Sequence, residues 1–134
     1  MQLPTDFTEY TRRLMGDALY ATLEKSLREE PPVSIRLNPF KGAAARLGVK
    51  DSTGNVAWCR DGVYLKARPD FTFDPLLHAG LYYVQEAASM FVDHVLREVV
   101  KTPVRMLDLC AAPGGKTGCA FAALPHGSML FSNE

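Results

Sequence analysis

Residues 108–117 read Asp-Leu-Cys-Ala-Ala-Pro-Gly-Gly-Lys-Thr, which places two adjacent glycines, a lysine and a hydroxyl behind a run of small side chains. Small residues and glycines let a ligand come close to the backbone. If a helix starts at Lys116, its first N–H groups are unpaired and favour an anionic or carboxylate group. In open α/β sheets, ligands sit at the carboxyl ends of strands, and an acidic residue ending the next strand commonly takes ribose hydroxyls. Glu134 stands at such a position. The pattern asks for a ligand carrying a ribose and a carboxylate or phosphate, close to the backbone of Cys110, Ala111, Ala112, Pro113, Gly114 and Gly115 and with Glu134 at the ribose.

Gly115-Lys116-Thr117 also looks like the end of a P-loop. That motif needs a glycine where Cys110 stands, and Pro113 removes an N–H from any phosphate cradle. A P-loop-like nucleotide-binding protein is therefore the less favoured alternative. Asp108 has two readings, as a ligand contact or as a brace that orients the loop.

The elements that must position this loop follow from periodicity. Val104–Leu109 reads as a buried-type strand, Lys116–Leu124 as a helix broken by Pro125-His126-Gly127, and Ser128–Ser132 as a second strand. Strand, glycine-rich turn, helix and strand make a βαβ unit, hence a parallel sheet. Upstream, Glu86 to Val100 has helical spacing, with Ala87, Met90, Phe91, His94, Val95, Glu98 and Val99 on one face. Leu81–Val84 reads as a short extended stretch, and 70–78 as a linker.

The first part reads as a small α+β unit. Helices are predicted over Phe7–Met15, N-capped by Thr5 or Asp6 with Glu9 as reciprocal partner, and over Asp17–Arg28 with a buried stripe of Leu19, Leu23 and Leu27. Val33–Asn38 alternates as a strand. Ala43–Leu47 reads as a short helix capped by Gly48, and Asp51–Asn55 as a turn. Val56–Cys59 and Val63–Lys66 read as strands of a hairpin turning at Arg60-Asp61-Gly62. The fold class is α/β, with a small α+β domain over 1–75 and the start of a Rossmann-like domain over 76–134.

Bulk properties exclude several classes. The chain has 134 residues, 47% hydrophobic, with 15 basic and 15 acidic side chains, so disorder is not expected. Residues 1–67 carry +2 and residues 68–134 carry −2, too little asymmetry to argue for nucleic acid. Cys59, Cys110 and Cys119 form neither a disulfide framework nor a zinc pair. No signal peptide or membrane span is legible, so a soluble cytoplasmic protein is expected. His78, His94 and His126 are scattered.

The 108–117 loop closely resembles that of the Sun/Nop-type RNA 5-methylcytosine methyltransferases. Ser34–Pro39 resembles the R-x-N segment of that family, through Arg36 and Asn38. Trp58–Gly62 and Gly80–Met90 look like its bacterial subgroup acting on small-subunit ribosomal RNA, and Ser132-Asn133-Glu134 resembles the second motif. The resemblance covers nearly the whole chain. It implies S-adenosyl-L-methionine as cofactor, with residues 110–116 along the methionine portion and Glu134 on the ribose. It also implies RNA, and specifically ribosomal RNA, as partner. The family adds a cysteine thiolate to cytosine C6, and its two cysteines lie beyond the second strand. None of Cys59, Cys110 and Cys119 matches them, so no catalytic residue is expected here and the chain reads as the N-terminal part of a longer enzyme. The alternative is a non-catalytic RNA-binding module using cations such as Arg36, Lys41, Arg60 and Lys66 and aromatics such as Phe40 and Trp58.

Overall fold

The computed structural model describes residues 3–42 and 51–134, in two compact units, 1–31 and 32–134. The helix expected over Ala43–Leu47, with its Gly48 cap, lies outside the described residues.

The first unit is α1 (Thr5–Arg28), broken at Gly16, whose φ of 79° and ψ of 165° are not helical. Only glycine adopts such a backbone without strain. The reversal brings the Tyr20 hydroxyl to 3.2 Å from Thr8 Oγ1 and Arg12 to 4.8 Å from the Tyr20 ring. Twelve residues of straight helix would hold Thr8 and Tyr20 ~18 Å apart. Two expectations fail here. The helix starts earlier, with Pro4 as N-cap: its carbonyl receives the Thr8 N–H at 3.0 Å, and its side chain has no acceptor with which to cap. The buried residue is Tyr20 at 1% exposure, while Leu19 is 63% exposed, because the broken helix turns the tyrosine inward.

The second unit contains a four-stranded antiparallel sheet of β1 (Val33–Leu37), β2 (Ser52–Asn55), β3 (Gly62–Leu65) and β4 (Tyr82–Val84), in the order β2-β3-β1-β4. It crosses residue 75, because β4 pairs with β1 in the register Ile35↔Val84, Arg36↔Tyr83, Leu37↔Tyr82. Successive side chains point to opposite faces of a strand. One face is apolar: Ile35, Leu37, Val63 and Tyr82 pack with Phe71, Leu76 and Leu77. The other carries Ser34, Arg36, Tyr64 and Tyr83. Ser34–Leu37 are all buried, so both faces of β1 are covered.

Three readings are corrected. Val56–Cys59 is not a strand; β2 lies upstream, where a turn was expected. Val56 and Cys59 are drawn into a second buried cluster with Ala87 and Met90, and Trp58 Nε1 donates to the Ala87 carbonyl at 2.7 Å. Gly62 makes that cluster possible, since a β-carbon there would stand 2.8 Å from both Met90 Sδ and Val56 Cβ. Residues 70–78 are not a loose linker. They form a 3₁₀ turn at Phe71–Phe73 and α2 (Pro75–His78), with the Asp74 side chain accepting from Leu76 N–H and from the Tyr82 hydroxyl.

A 3₁₀ turn at Ala88–Met90 leads into α3 (Phe91–Val99). The helix expected from Glu86 to near Val100 is present over Phe91–Val99; of the residues whose spacing marked it, Ala87 and Met90 are buried in the turn ahead of it while Phe91, Val95 and Val99 are exposed, and within the helix Asp93 is buried. Asp93 accepts two bonds from Arg97, at 2.8 and 3.1 Å, and Arg97 also donates to the Ala122 carbonyl at 2.9 Å. Burying this carboxylate is tolerable because the guanidinium meets it with two hydrogen bonds. The Ala122 bond ties α3 to α4 (Gly115–Ala123). The predicted βαβ unit is present, with β5 (Arg105–Asp108) and β6 (Met129–Ser132) parallel in the register Arg105↔Met129 through Asp108↔Ser132. β5 is not of buried type: Leu107, Met129 and Phe131 are each more than half exposed, because one sheet face is uncovered among the described residues. No described helix is long and apolar enough to cross a membrane.

Candidate functional site at the loop after β5

The loop joining β5 to α4 is braced from its base. Asp108 Oδ1 accepts from the Cys110 N–H at 3.1 Å, and Oδ2 accepts from Thr117 Oγ1 at 2.6 Å, so one carboxylate holds both the loop entrance and the first turn of α4. This bracing matches the orienting reading of Asp108. Gly114 has φ of 97° and donates to the Ala111 carbonyl at 2.7 Å, closing the turn ahead of the helix. The Ala112–Pro113 peptide is cis. On the far side, Ala111 N–H donates to the Asn133 carbonyl and Ala112 N–H to Glu134 Oε2, both at 2.9 Å. Glu134 therefore stands at the loop itself. α4 begins with no side-chain cap, which leaves its first-turn N–H groups for another acceptor.

The opposite wall comes from the end of β4 and the segment that follows it into the Ala88–Met90 turn. A cavity of about 220 Å³ is lined on one side by Tyr83, Gln85, Glu86 and Ser89, and on the other by Cys110, Ala111, Ala112, Pro113, Gly115 and Lys116. Of the eight residues expected from sequence, these six line it. Glu134 reaches it through Ala112, and Gly114 lies on a neighbouring cavity of about 320 Å³ with Arg36, Asn38, Phe40, Gly118 and Phe121. The Tyr83 hydroxyl donates to the Pro113 carbonyl at 3.1 Å, joining the two walls.

Behind this wall lies a buried polar pair. Arg36, 7% exposed, donates from Nε to Gln85 Oε1 at 2.9 Å. Arg36 has only donors, so it fixes which end of the amide faces it. Gln85, also 7% exposed, is thereby left with a buried Nε2 that has no partner. Space for the pair is made on α4: a β-carbon at Gly118 would stand 2.7 Å from Arg36 Nη2, and one at Gly115 would stand 3.1 Å from Tyr83 and 3.6 Å from Gln85 Nε2. Sequence reasoning assigned no role to Gln85 or Tyr83. The available signal was an arginine in an otherwise buried strand, which requires a partner. Asn38 braces locally, accepting from Phe40 N–H and donating to the Gly80 carbonyl.

Two of the three cysteines are buried and do not line the loop cavity. Cys119, fully buried, donates to the Met90 carbonyl at 3.9 Å, and its thiol is held above its usual value by the neighbouring Cys59 sulfur and by burial. The Cys119 thiol in turn lowers Cys59 to about 7, but Cys59 is 1% exposed and out of reach of a substrate. Cys110 is exposed in the loop. The described residues contain no cluster of three or more metal-binding side chains.

Comparison with known proteins agrees with this architecture. The family described as the N-terminal domain of 16S rRNA methyltransferase RsmF matches residues 3–87. The chain is 30% identical to ribosomal RNA small subunit methyltransferase F of Shewanella frigidimarina, over 99% of this chain and 29% of that protein. It is 36% identical to the protein of the same name from Citrobacter koseri, over 90% of this chain and 26% of that one. The chain thus spans less than a third of these relatives. A solved structure titled PH0851 shares the fold, with a TM-score of 0.72 and 23% identity over 96% of this chain and 30% of that one. A methyltransferase homolog protein from Pyrococcus horikoshii superposes with a TM-score of 0.66 and 25% identity, over 97% of this chain and 48% of that one. The chain belongs to the RsmF family of 16S ribosomal RNA methyltransferases and carries the N-terminal domain of that family.

Proposed function

We propose that the loop cavity binds S-adenosyl-L-methionine, and that the chain is the N-terminal part of a cytoplasmic enzyme that methylates C5 of a cytosine in ribosomal RNA. The observation that carries this reading is the convergence of an uncapped helix N-terminus, Lys116 and an orphaned amide on one cavity beside a glycine-bearing loop. These donors fit an amino-acid carboxylate. Residues 110–116 would run along the methionine portion through their backbone, and Glu134 would accept from the ribose hydroxyls. The cofactor, when bound, supplies an electrophilic methyl group. This chain's own residues bind and orient it, and none of them is assigned as nucleophile. Residues 1–75 would help position the RNA, and 76–134 would hold the cofactor.

Calorimetric titration with S-adenosyl-L-methionine tests the reading. Saturable binding is expected. Gly114→Val should weaken it at least ~10-fold, because a β-branched residue at φ near 97° strains the turn by ~1–3 kcal/mol and displaces the loop. A wild-type chain that binds no cofactor overturns the reading. Ribosomal RNA fragments titrated at increasing salt test the partner: affinity that falls with salt is expected, and its absence at low salt removes RNA from the proposal.

A further inference from the structure

We infer that Gln85 is a cofactor-binding residue that donates from Nε2 to the carboxylate of the cofactor's amino-acid end, and that Arg36 positions it. The inference rests on the proposed cofactor reading and deepens it.

A buried amide N–H without an acceptor costs ~1–3 kcal/mol, so an orphan donor in a folded protein needs a reason. The Gln85 amide is held so that the orphan cannot turn away. Its oxygen is taken by Arg36 Nε, which can never accept, and rotating the amide would set two donors against each other. The donor therefore stays next to Gly115, the first residue of α4. There the helix presents its own unpaired N–H groups and the positive end of its dipole. Two independent features, a fixed orphan donor and an uncapped helix start, meet on one cavity with Lys116 on its wall. A carboxylate has two acceptor oxygens and can satisfy both at once. A ribose hydroxyl or an adenine edge would leave the helix N–H groups or the lysine unmatched.

Arg36 acts through Gln85. It sits on the polar face of β1, its guanidinium occupies the space left by the missing side chain at Gly118, and it does not line the loop cavity. The sheet thereby aims one donor at a loop built by a different sheet.

The test compares two probes on the full 134-residue chain by calorimetry: S-adenosylhomocysteine, which has the amino-acid end, and 5′-methylthioadenosine, which lacks it. Gln85→Met keeps size and removes the donor. It should weaken S-adenosylhomocysteine ~10–100-fold, as expected for a hydrogen bond to a charged group, and change 5′-methylthioadenosine less than ~2-fold. Arg36→Met should shift the same probe selectively but less, because it frees the amide without removing it. Equal weakening of both probes, or of neither, overturns the inference, since damage to the fold would not distinguish them. If Gln85→Met does not fold, Gln85→Glu decides by the same criteria. It keeps a partner for Arg36 and places a negative charge against the carboxylate, so the selective loss should be larger. A wild-type chain that binds neither probe defeats the cofactor reading itself. One that binds both equally defeats only the assignment of Gln85.

Discussion

Strand β1 has Ser34, Ile35, Arg36 and Leu37 all buried, whereas none of the four residues of β5 is buried. Around β1 the four-stranded sheet is covered on both faces, by the Phe71 and Leu76 cluster on one side and by the Ala88–Met90 turn and α4 on the other. The parallel pair is covered on one, and its other face shows Leu107, Met129 and Phe131. Yet the loop that carries the candidate chemistry hangs from the less covered pair. The better packed region reaches across to hold it, through Tyr83 to Pro113 and through Arg36 against Gly118. Rigidity at the site is thus imported from a sheet that contributes little of the loop.

That contrast can be broken from its strong side first. Met90→Ala removes a fully buried side chain from the cluster between Gly62 and α3, and should cost ~2–5 kcal/mol in denaturant unfolding. Tyr82→Phe should cost about 1 kcal/mol near neutral pH by removing the bond to Asp74. Its pH dependence sharpens the point. The Tyr82 hydroxyl, with the Leu76 N–H, holds Asp74 below its ordinary value of 3.8, so the carboxylate stabilises the fold above that value. The contribution is lost as pH falls through the lowered pKa, and wild type and Tyr82→Phe should converge there in melting temperature. Their difference should stay constant from pH 5 to 7. The smallest effect is expected on the open face: Leu107→Ser should change stability by less than ~0.5 kcal/mol, since the side chain is 58% exposed. A larger loss would show that this face is covered in solution.

The loop, its helix and both flanking strands were legible because their signals are local: glycines in a turn, a switch of period, an acid after the second strand. β1 was legible by alternation. What escaped was set by distant residues. Arg36 and Gln85 are 49 positions apart and meet only because β4 pairs with β1. Val56–Cys59 has the composition of a strand, but its side chains are claimed by Ala87 and Met90, so the ladder forms upstream in exposed residues of lower strand propensity. On α3 the helix was legible from its spacing but its inward face was not, because that face is set by the Asp93–Arg97 pair with its bond to Ala122. Gln85 lay in a stretch already notable for its resemblance, but an unsatisfied donor exists only once the neighbours are placed.

Arg36 fits because Gly118 has no side chain, and that makes the two positions a single choice rather than two. A side chain added at 118 is a lesion in this protein while the guanidinium occupies the site. In a chain with a short residue at 36, the same addition would fill a hole. The tolerance of α4 to change at 118 is therefore written in β1, more than eighty residues upstream, and any redesign of the helix has to begin on the sheet.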